Sequence, residues 1–127
     1  MHKILIVDDD PIIRNLLVQI LESFKSQGVE LFTADNGETA IDIIQKEHPH
    51  MVFLDVMMPK MNGFEVCSIL KENPANKDIF VIMLTAKGQE ADKHKAESAG
   101  ADGYITKPFN IREITEKICE VLGIPCP

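Results

Sequence analysis

The chain has 127 residues, 45% of them hydrophobic and 26% charged, with 7 Gly and 7 Pro. This composition fits one globular domain with its own core and excludes collagen-like or low-complexity chains. Thirteen Lys and Arg against twenty Asp and Glu leave a formal charge of -7, which disfavours direct binding to nucleic acid or to anionic lipid.

Ile4 to Val7 is a short apolar run without polar alternation, the pattern of a strand covered on both faces. After it, Ile12, Ile13, Leu16, Leu17, Ile20, Leu21 and Phe24 recur at helical spacing as one stripe and predict a helix. Asp10 stands at its capping position, Pro11 at its first position, and Gly28 ends the segment. A second run, Val29 to Ala34, precedes a helix from about Glu38 to Lys46, with Ala40, Ile41 and Ile44 inward and Pro49 beyond its end. Met51 to Leu54 is the third strand. The third helix runs from about Phe64 to Glu72, carries Phe64, Cys67 and Leu70, and stops near Asn73 and Pro74. Ile79 to Leu84 leads into a weakly patterned helix, about Gln89 to Ala99, with Ala91, Ala96 and Ala99 as its small apolar residues before Gly100. That helix is expected to be the least firmly anchored. Gly103 to Thr106 is the last strand. Asn110, with Glu113 three residues on, opens a helix through Ile111, Ile114, Ile118, Val121 and Leu122 that Gly123 closes.

Strands alternating with helices argue for the α/β class: an open, mostly parallel sheet with helices on both faces and right-handed crossovers. No repeat or linker divides the chain, which reads as one domain over 1–123 with a short tail over 124–127. Cys67, Cys119 and Cys126 are odd in number and lack metal-ligand pairing, so they read as free thiols in a reducing compartment. No apolar stretch approaches the about 20 residues of a membrane span, and the run after Lys3 is too short for a secretory leader. The expected location is the cytoplasm.

In such sheets ligands gather at the carboxyl ends of the strands, near the point where strand order reverses. Asp8 and Asp9 directly follow the first strand, Asp55 the third, Thr85 the fourth and Lys107 the fifth. If the strand order is 2-1-3-4-5, the first and third strands are neighbours and their terminal carboxylates converge. Like charges that close raise one another's proton affinity and repel unless a cation intervenes. Oxygen ligands with no His or Cys nearby point to a hard cation. Magnesium, which keeps several waters and needs few protein ligands, fits best, with manganese as the alternative. Carboxylates around a metal, beside one Lys and one hydroxyl, suit phosphoryl transfer, whose demands are positioning and neutralising charge on the phosphoryl oxygens. Asp55 is the candidate nucleophile. Asp10 reads as an ordinary helix start and Met58 and Met61 as core filling. His48, His50 and His94 show no ligand spacing.

The run Asp55, Val56, Met57, Met58, Pro59, Lys60, Met61, Asn62, Gly63, with Asp8 and Asp9, Thr85 and Ala86, and Lys107 and Pro108, resembles the receiver domain of two-component response regulators, of the chemotaxis-receiver kind. The likeness spans about His2 to Leu122. It implies a flavodoxin-like (βα)5 three-layer sandwich with a five-stranded parallel sheet in the order 2-1-3-4-5. It implies that Asp55 takes a phosphoryl group from a phosphohistidine on a sensor histidine kinase or phosphotransfer protein. Asp9 and Asp55 would ligate magnesium directly, Asp8 largely through water, and the backbone carbonyl of Met57 would add a ligand. Lys107 would pair with the phosphoryl oxygens, and its bond to Pro108 would be cis. Thr85 would donate its hydroxyl to the phosphoryl group, and Tyr104 would turn inward to follow it. The fourth helix, fifth strand and fifth helix, about Gln89 to Leu122, would form the surface that phosphorylation biases. Met57 and Lys87, two residues after Asp55 and Thr85, occupy the positions that tune phosphoryl lifetime. An apolar Met and a long Lys there imply a comparatively persistent aspartyl phosphate.

Such a protein is a switch that catalyses only its own phosphoryl uptake and loss, not an enzyme acting on an external substrate. A phosphohydrolase with an aspartyl nucleophile wants an acid/base carboxylate where Met57 stands. A nucleotide or flavin module wants a glycine-rich loop after the first strand, where Asp8 to Pro11 would repel phosphate. An unphosphorylated docking module of the same fold is disfavoured by the presence of Asp8, Asp9, Asp55, Thr85 and Lys107 together. No output domain follows the fifth helix in this sequence, so the expected output is a separate protein or the effector domain of a longer regulator.

Overall fold

The computed structural model describes residues 2–86 and 91–126. Among them the strands are β1 (His2–Val7), β2 (Val29–Ala34), β3 (Met51–Asp55), β4 (Phe80–Ala86) and β5 (Gly103–Lys107). The helices are α1 (Pro11–Glu22), α2 (Gly37–Glu47), α3 (Gly63–Glu72), α4 (Ala91–Ser98) and α5 (Ile111–Leu122). The strands form one parallel sheet in the order β2-β1-β3-β4-β5, the flavodoxin-like arrangement.

The continuous apolar runs are explained by two cores, one on each face of the sheet. Because successive side chains point to opposite faces, Ile4, Ile6, Met51, Phe53, Ile82, Leu84 and Ile105 meet α1 (Leu17, Ile20, Leu21) and α5 (Ile114, Ile118). Leu5, Val7, Val52, Leu54, Val81 and Met83 meet α2 (Ala40, Ile44), α3 (Val66, Cys67, Leu70) and α4 (Ala96). Strands with no solvent face have no use for polar alternation.

The helix caps follow the residue chemistry. The Asp10 side chain accepts from the Ile12 amide and Pro11 opens α1. Asn110 accepts from the Glu113 amide at the start of α5 and Gly123 closes it in the left-handed region. A reciprocal capping box forms at α3 instead, between Asn62 and Glu65. α1 ends at Glu22, before Phe24; a 3-10 turn over Lys25–Gln27 follows, closed by Gly28 at φ 81°. Phe24 stays fully buried, so the apolar spacing outlasts the helical hydrogen bonds. α4 is described from Ala91; the expected start at Gln89 lies outside the described residues.

One expectation fails. Cys119 and Cys126 are disulfide-bonded, with Cα atoms 5.6 Å apart, rather than being free thiols. The left-handed turn at Gly123 folds the tail back on α5, where Ile124 donates its amide to the Cys119 carbonyl at 3.2 Å and packs against the α1–α5 core. Spacing along the chain could not reveal that return. Cys67 is the expected packing thiol: it is free and buried, and burial pushes its pKa up to about 11. No helix among the described residues is long and apolar enough to cross a membrane.

Candidate functional site

Sheet register brings the polar strand ends together. β1 and β3 pair with Val7 opposite Leu54, so Asp8 and Asp55 come next on adjacent strands. β4 places Leu84 opposite Asp55 on one side and Thr85 opposite Thr106 and Ala86 opposite Lys107 on the other. Strand alternation then sorts the side chains. Asp8, Asp55 and Lys107 continue the rows of Ile6, Phe53 and Ile105, toward the α1–α5 face. Thr85 continues the row of Val81 and Met83, toward the α2–α3–α4 face, against which Tyr104 is half-buried.

Lys107 Nζ donates to Asp8 Oδ2 and to Asp55 Oδ1, each at 3.1 Å. Asp8 is fully buried and Asp55 is 4% exposed. The Asp10 amide donates to Asp8 Oδ1 at 2.9 Å, and the Met57 amide to Asp55 Oδ1 at 3.4 Å. Asp9 is exposed. Carboxylate oxygens of Asp8, Asp9 and Asp55 lie within 4.8 Å of one another. The Lys107–Pro108 peptide bond is cis. The Met57 side chain stands exposed at the mouth, whereas Lys87 lies outside the described residues.

The electrostatics follow from this packing. Burial first, and the Asp8 carboxylate second, push the Asp55 pKa up to about 7 against the pull of Lys107. Burial works against the Lys107 ammonium, but the charges of Asp55 and Asp8 and its hydrogen bonds to both outweigh it and hold its pKa above the ordinary lysine value. One ammonium thus serves two buried carboxylates, with a third alongside. A cluster of hard oxygens short of positive charge has the donor chemistry of a Mg2+ site. Beside it, Thr85 is buried and its Oγ1 has no hydrogen-bond partner among the described residues. A buried hydroxyl left unpaired is costly.

Two contributors were not foreseen. Gly63 lies so close to the chain that a Cβ there would collide with the Asp55 carbonyl oxygen and crowd the Val56 Cα; a glycine a few residues after the candidate nucleophile was its only trace in the sequence. Arg14 Nη1 donates to the Asp8 carbonyl at 2.8 Å, and nothing in helical spacing marks an arginine as turning back.

The model of the response regulator receiver domain family matches residues 4–119. The chain belongs to that family. This receiver domain is 44% identical over 121 residues to the protein named Probable transcriptional regulator ycf27 of Porphyra purpurea, a match covering 95% of this chain and 47% of that one. It is 38% identical over 122 residues to the heme response regulator HssR of Staphylococcus aureus (strain MRSA252), covering 96% and 52% respectively. The receiver domain therefore spans about half the length of these relatives. The solved structure of the chemotaxis response regulator CheY4 of Vibrio cholerae superposes with a TM-score of 0.84 at 31% identity, covering 95% of this chain and 98% of that one. Receiver domains are signalling switches of two-component systems, interact with histidine kinases or phosphotransfer proteins and bind Mg2+ at an acidic pocket. In this one the cluster with that chemistry among the described residues is Asp8, Asp9 and Asp55.

Proposed function

We propose that this domain is a phosphorylation-activated switch of a two-component phosphorelay, with Asp55 as phosphoacceptor. The observation that carries the reading is a buried Asp55 carboxylate with a neighbouring acid, a shared lysine at 3.1 Å and, on the next strand, a threonine hydroxyl with no partner among the described residues. An Asp55 oxygen attacks the phosphorus of a phosphohistidine; the P–N bond breaks and the imidazole nitrogen keeps the electron pair. Asp8, Asp9, Asp55 and the Met57 carbonyl are the groups that would hold Mg2+, or Mn2+ in its place. The bound cation supplies charge neutralisation for the transferred group. Lys107, already beside Asp55, pairs with the phosphoryl oxygens.

Thr85 carries the signal onward. Its row faces α4 while the charged rows face α1 and α5, so a hydroxyl drawn to the phosphoryl group pulls on the face where Tyr104 packs. Thr85 and Tyr104 thereby bias the α4-β5-α5 surface. The phosphodonor is a sensor histidine kinase or phosphotransfer protein in the cytoplasm. The output is a separate protein or an effector domain, with no direct nucleic-acid contact by this domain. Exposed Ile12, Leu16, Met57 and Ile111 lie on elements that leave the carboxyl edge of the sheet, where a donor would dock. Met57 and Lys87 tune the phosphoryl lifetime.

The test is intact mass after incubation with acetyl phosphate, with and without Mg2+, for wild type and Asp55→Ala. The expected result is a gain of one phosphoryl group that requires both metal and Asp55, and that decays faster in Met57→Asn. A gain in Asp55→Ala would refute the assignment.

A further inference from the structure

We propose that Arg14 is a positioning residue for the divalent-cation site, acting through the main chain of Asp8; this rests on the reading of that site given above. Arg14 lies in α1, with its own amide donating to the Asp10 carbonyl at 2.9 Å. Its side chain turns back along the chain, and Nη1 donates to the Asp8 carbonyl at 2.8 Å. That carbonyl belongs to the first residue beyond β1, whose ladders with β2 and β3 both end at Val7. Asp8 still donates its amide to the Ala34 carbonyl at 3.1 Å, but its own carbonyl has left the sheet and needs another donor.

The consequence falls on Asp9. The peptide unit is planar, so the Asp8 carbonyl, the Asp9 amide and the Asp9 Cα move as one plate. Asp8 itself is already fixed: Oδ1 takes the Asp10 amide and Oδ2 takes Lys107. Asp9 is exposed, and its carboxylate accepts no hydrogen bond among the described residues. Its aim toward Asp55 depends on the peptide plate that Arg14 holds. A guanidinium has the reach and the charge for such a bond to a carbonyl.

Two effects of removing Arg14 have opposite signs. Loss of a positive charge near a cation site strengthens Mg2+ binding by simple Coulomb attraction. Loss of the latch weakens it, because the three carboxylates no longer converge without cost. The positioning role predicts that the second effect wins.

The experiment is calorimetric titration of Mg2+ into wild type, Arg14→Met and Arg14→Lys, with metal-free melting recorded in EDTA. Arg14→Met keeps the apolar stem and is expected to bind Mg2+ about tenfold more weakly, the low end for losing a partner behind a metal's own ligands. Arg14→Lys, which restores a donor and the charge, is expected to recover most of that loss. Affinity in Arg14→Met equal to or tighter than wild type overturns the proposal, as does a loss of equal size in Arg14→Lys. Should Arg14→Met not fold, the Asp9 amide nitrogen shift of Arg14→Lys carries the test. That shift and the Mg2+ affinity should stay together or move together, and movement of one alone overturns the proposal. Wild type that binds no Mg2+ refutes the functional reading itself and this proposal with it, whereas a defect confined to the variants' ranking strikes only Arg14.

Discussion

Asp55 occupies a place that an ionised carboxylate does not favour without added positive charge. Its pKa rises from the ordinary 3.8 to about 7, through burial and then through Asp8. Between those values the folded protein keeps a proton that the unfolded chain has lost. Metal-free stability therefore falls as pH rises through that window and levels off above about 7. Asn keeps the shape of Asp and carries no charge. Asp55→Asn is expected to be more stable than wild type by about 2 kcal/mol at pH 8 in EDTA, and to show little gain near pH 4. Urea unfolding at the two pH values checks this. A variant less stable than wild type at pH 8 would mean that the bond from Lys107 outweighs the cost of burying the charge. The same site was the part most legible in the sequence. Asp8, Asp55 and Lys107 share a row parity with apolar residues of the α1–α5 core, and Thr85 has the other parity, so both the convergence and the division of labour follow from counting by two along each strand.

The elements were legible where one residue decides a local geometry, and less so where two distant segments meet. Asp10–Pro11 and Asn110 mark helix starts because their side chains bond amides two or three positions on. The capping box of Asn62 and Glu65 has the same sequence form, masked by the functional run in which it sits. Among the described side chains of α4, Ala96 is buried in the core, and the turn after the helix is held by Cys67 donating to the Ala99 carbonyl and by Lys71 paired with Asp102 at 2.9 Å. The Cys119–Cys126 bond, the Arg14 latch and the role of Gly63 were not legible, because each depends on chain segments meeting around a turn. Gly63 sits where the β3 end and the start of α3 touch. Its amide donates to the Val56 carbonyl at 2.9 Å, and any Cβ would strike the carbonyl of Asp55 and the methyl of Met83. Backbone cannot yield as a flexible side chain does. Gly63→Ala is expected to cost about 2–4 kcal/mol and to displace the Asp55 amide resonance in a nitrogen–proton spectrum. A near-neutral effect on unfolding would show that the β3–α3 turn can shift without cost.

Across the whole molecule, the two ends of the sheet respond to protons in opposite senses. At the amino end His50 is largely exposed, and its partial burial and then the neighbouring His2 hold its pKa below the ordinary 6.5. Its Nδ1 accepts the Lys3 amide at 3.0 Å, a bond that protonation removes. The unfolded chain binds that proton more readily, so His50 costs stability as pH falls below about 6.5. At the carboxyl end, Asp55 costs stability as pH rises toward about 7. Only the second cost is open to a cation, because Mg2+ held by the ionised cluster, as proposed above, would compete with the proton there. The rise in melting temperature on adding saturating Mg2+ should therefore be small at pH 5 and larger at pH 8, growing through the Asp55 window. Removing the metal with EDTA at pH 8 should return the metal-free value. The acidic decline due to His50 should persist with or without Mg2+, since that histidine precedes β3 at the opposite end of the strands. Thermal melts at the two pH values, with Mg2+ and with EDTA, separate these effects. An equal Mg2+ increment at pH 5 and pH 8 would detach the metal from Asp55 and leave its raised proton affinity without a part in cation binding.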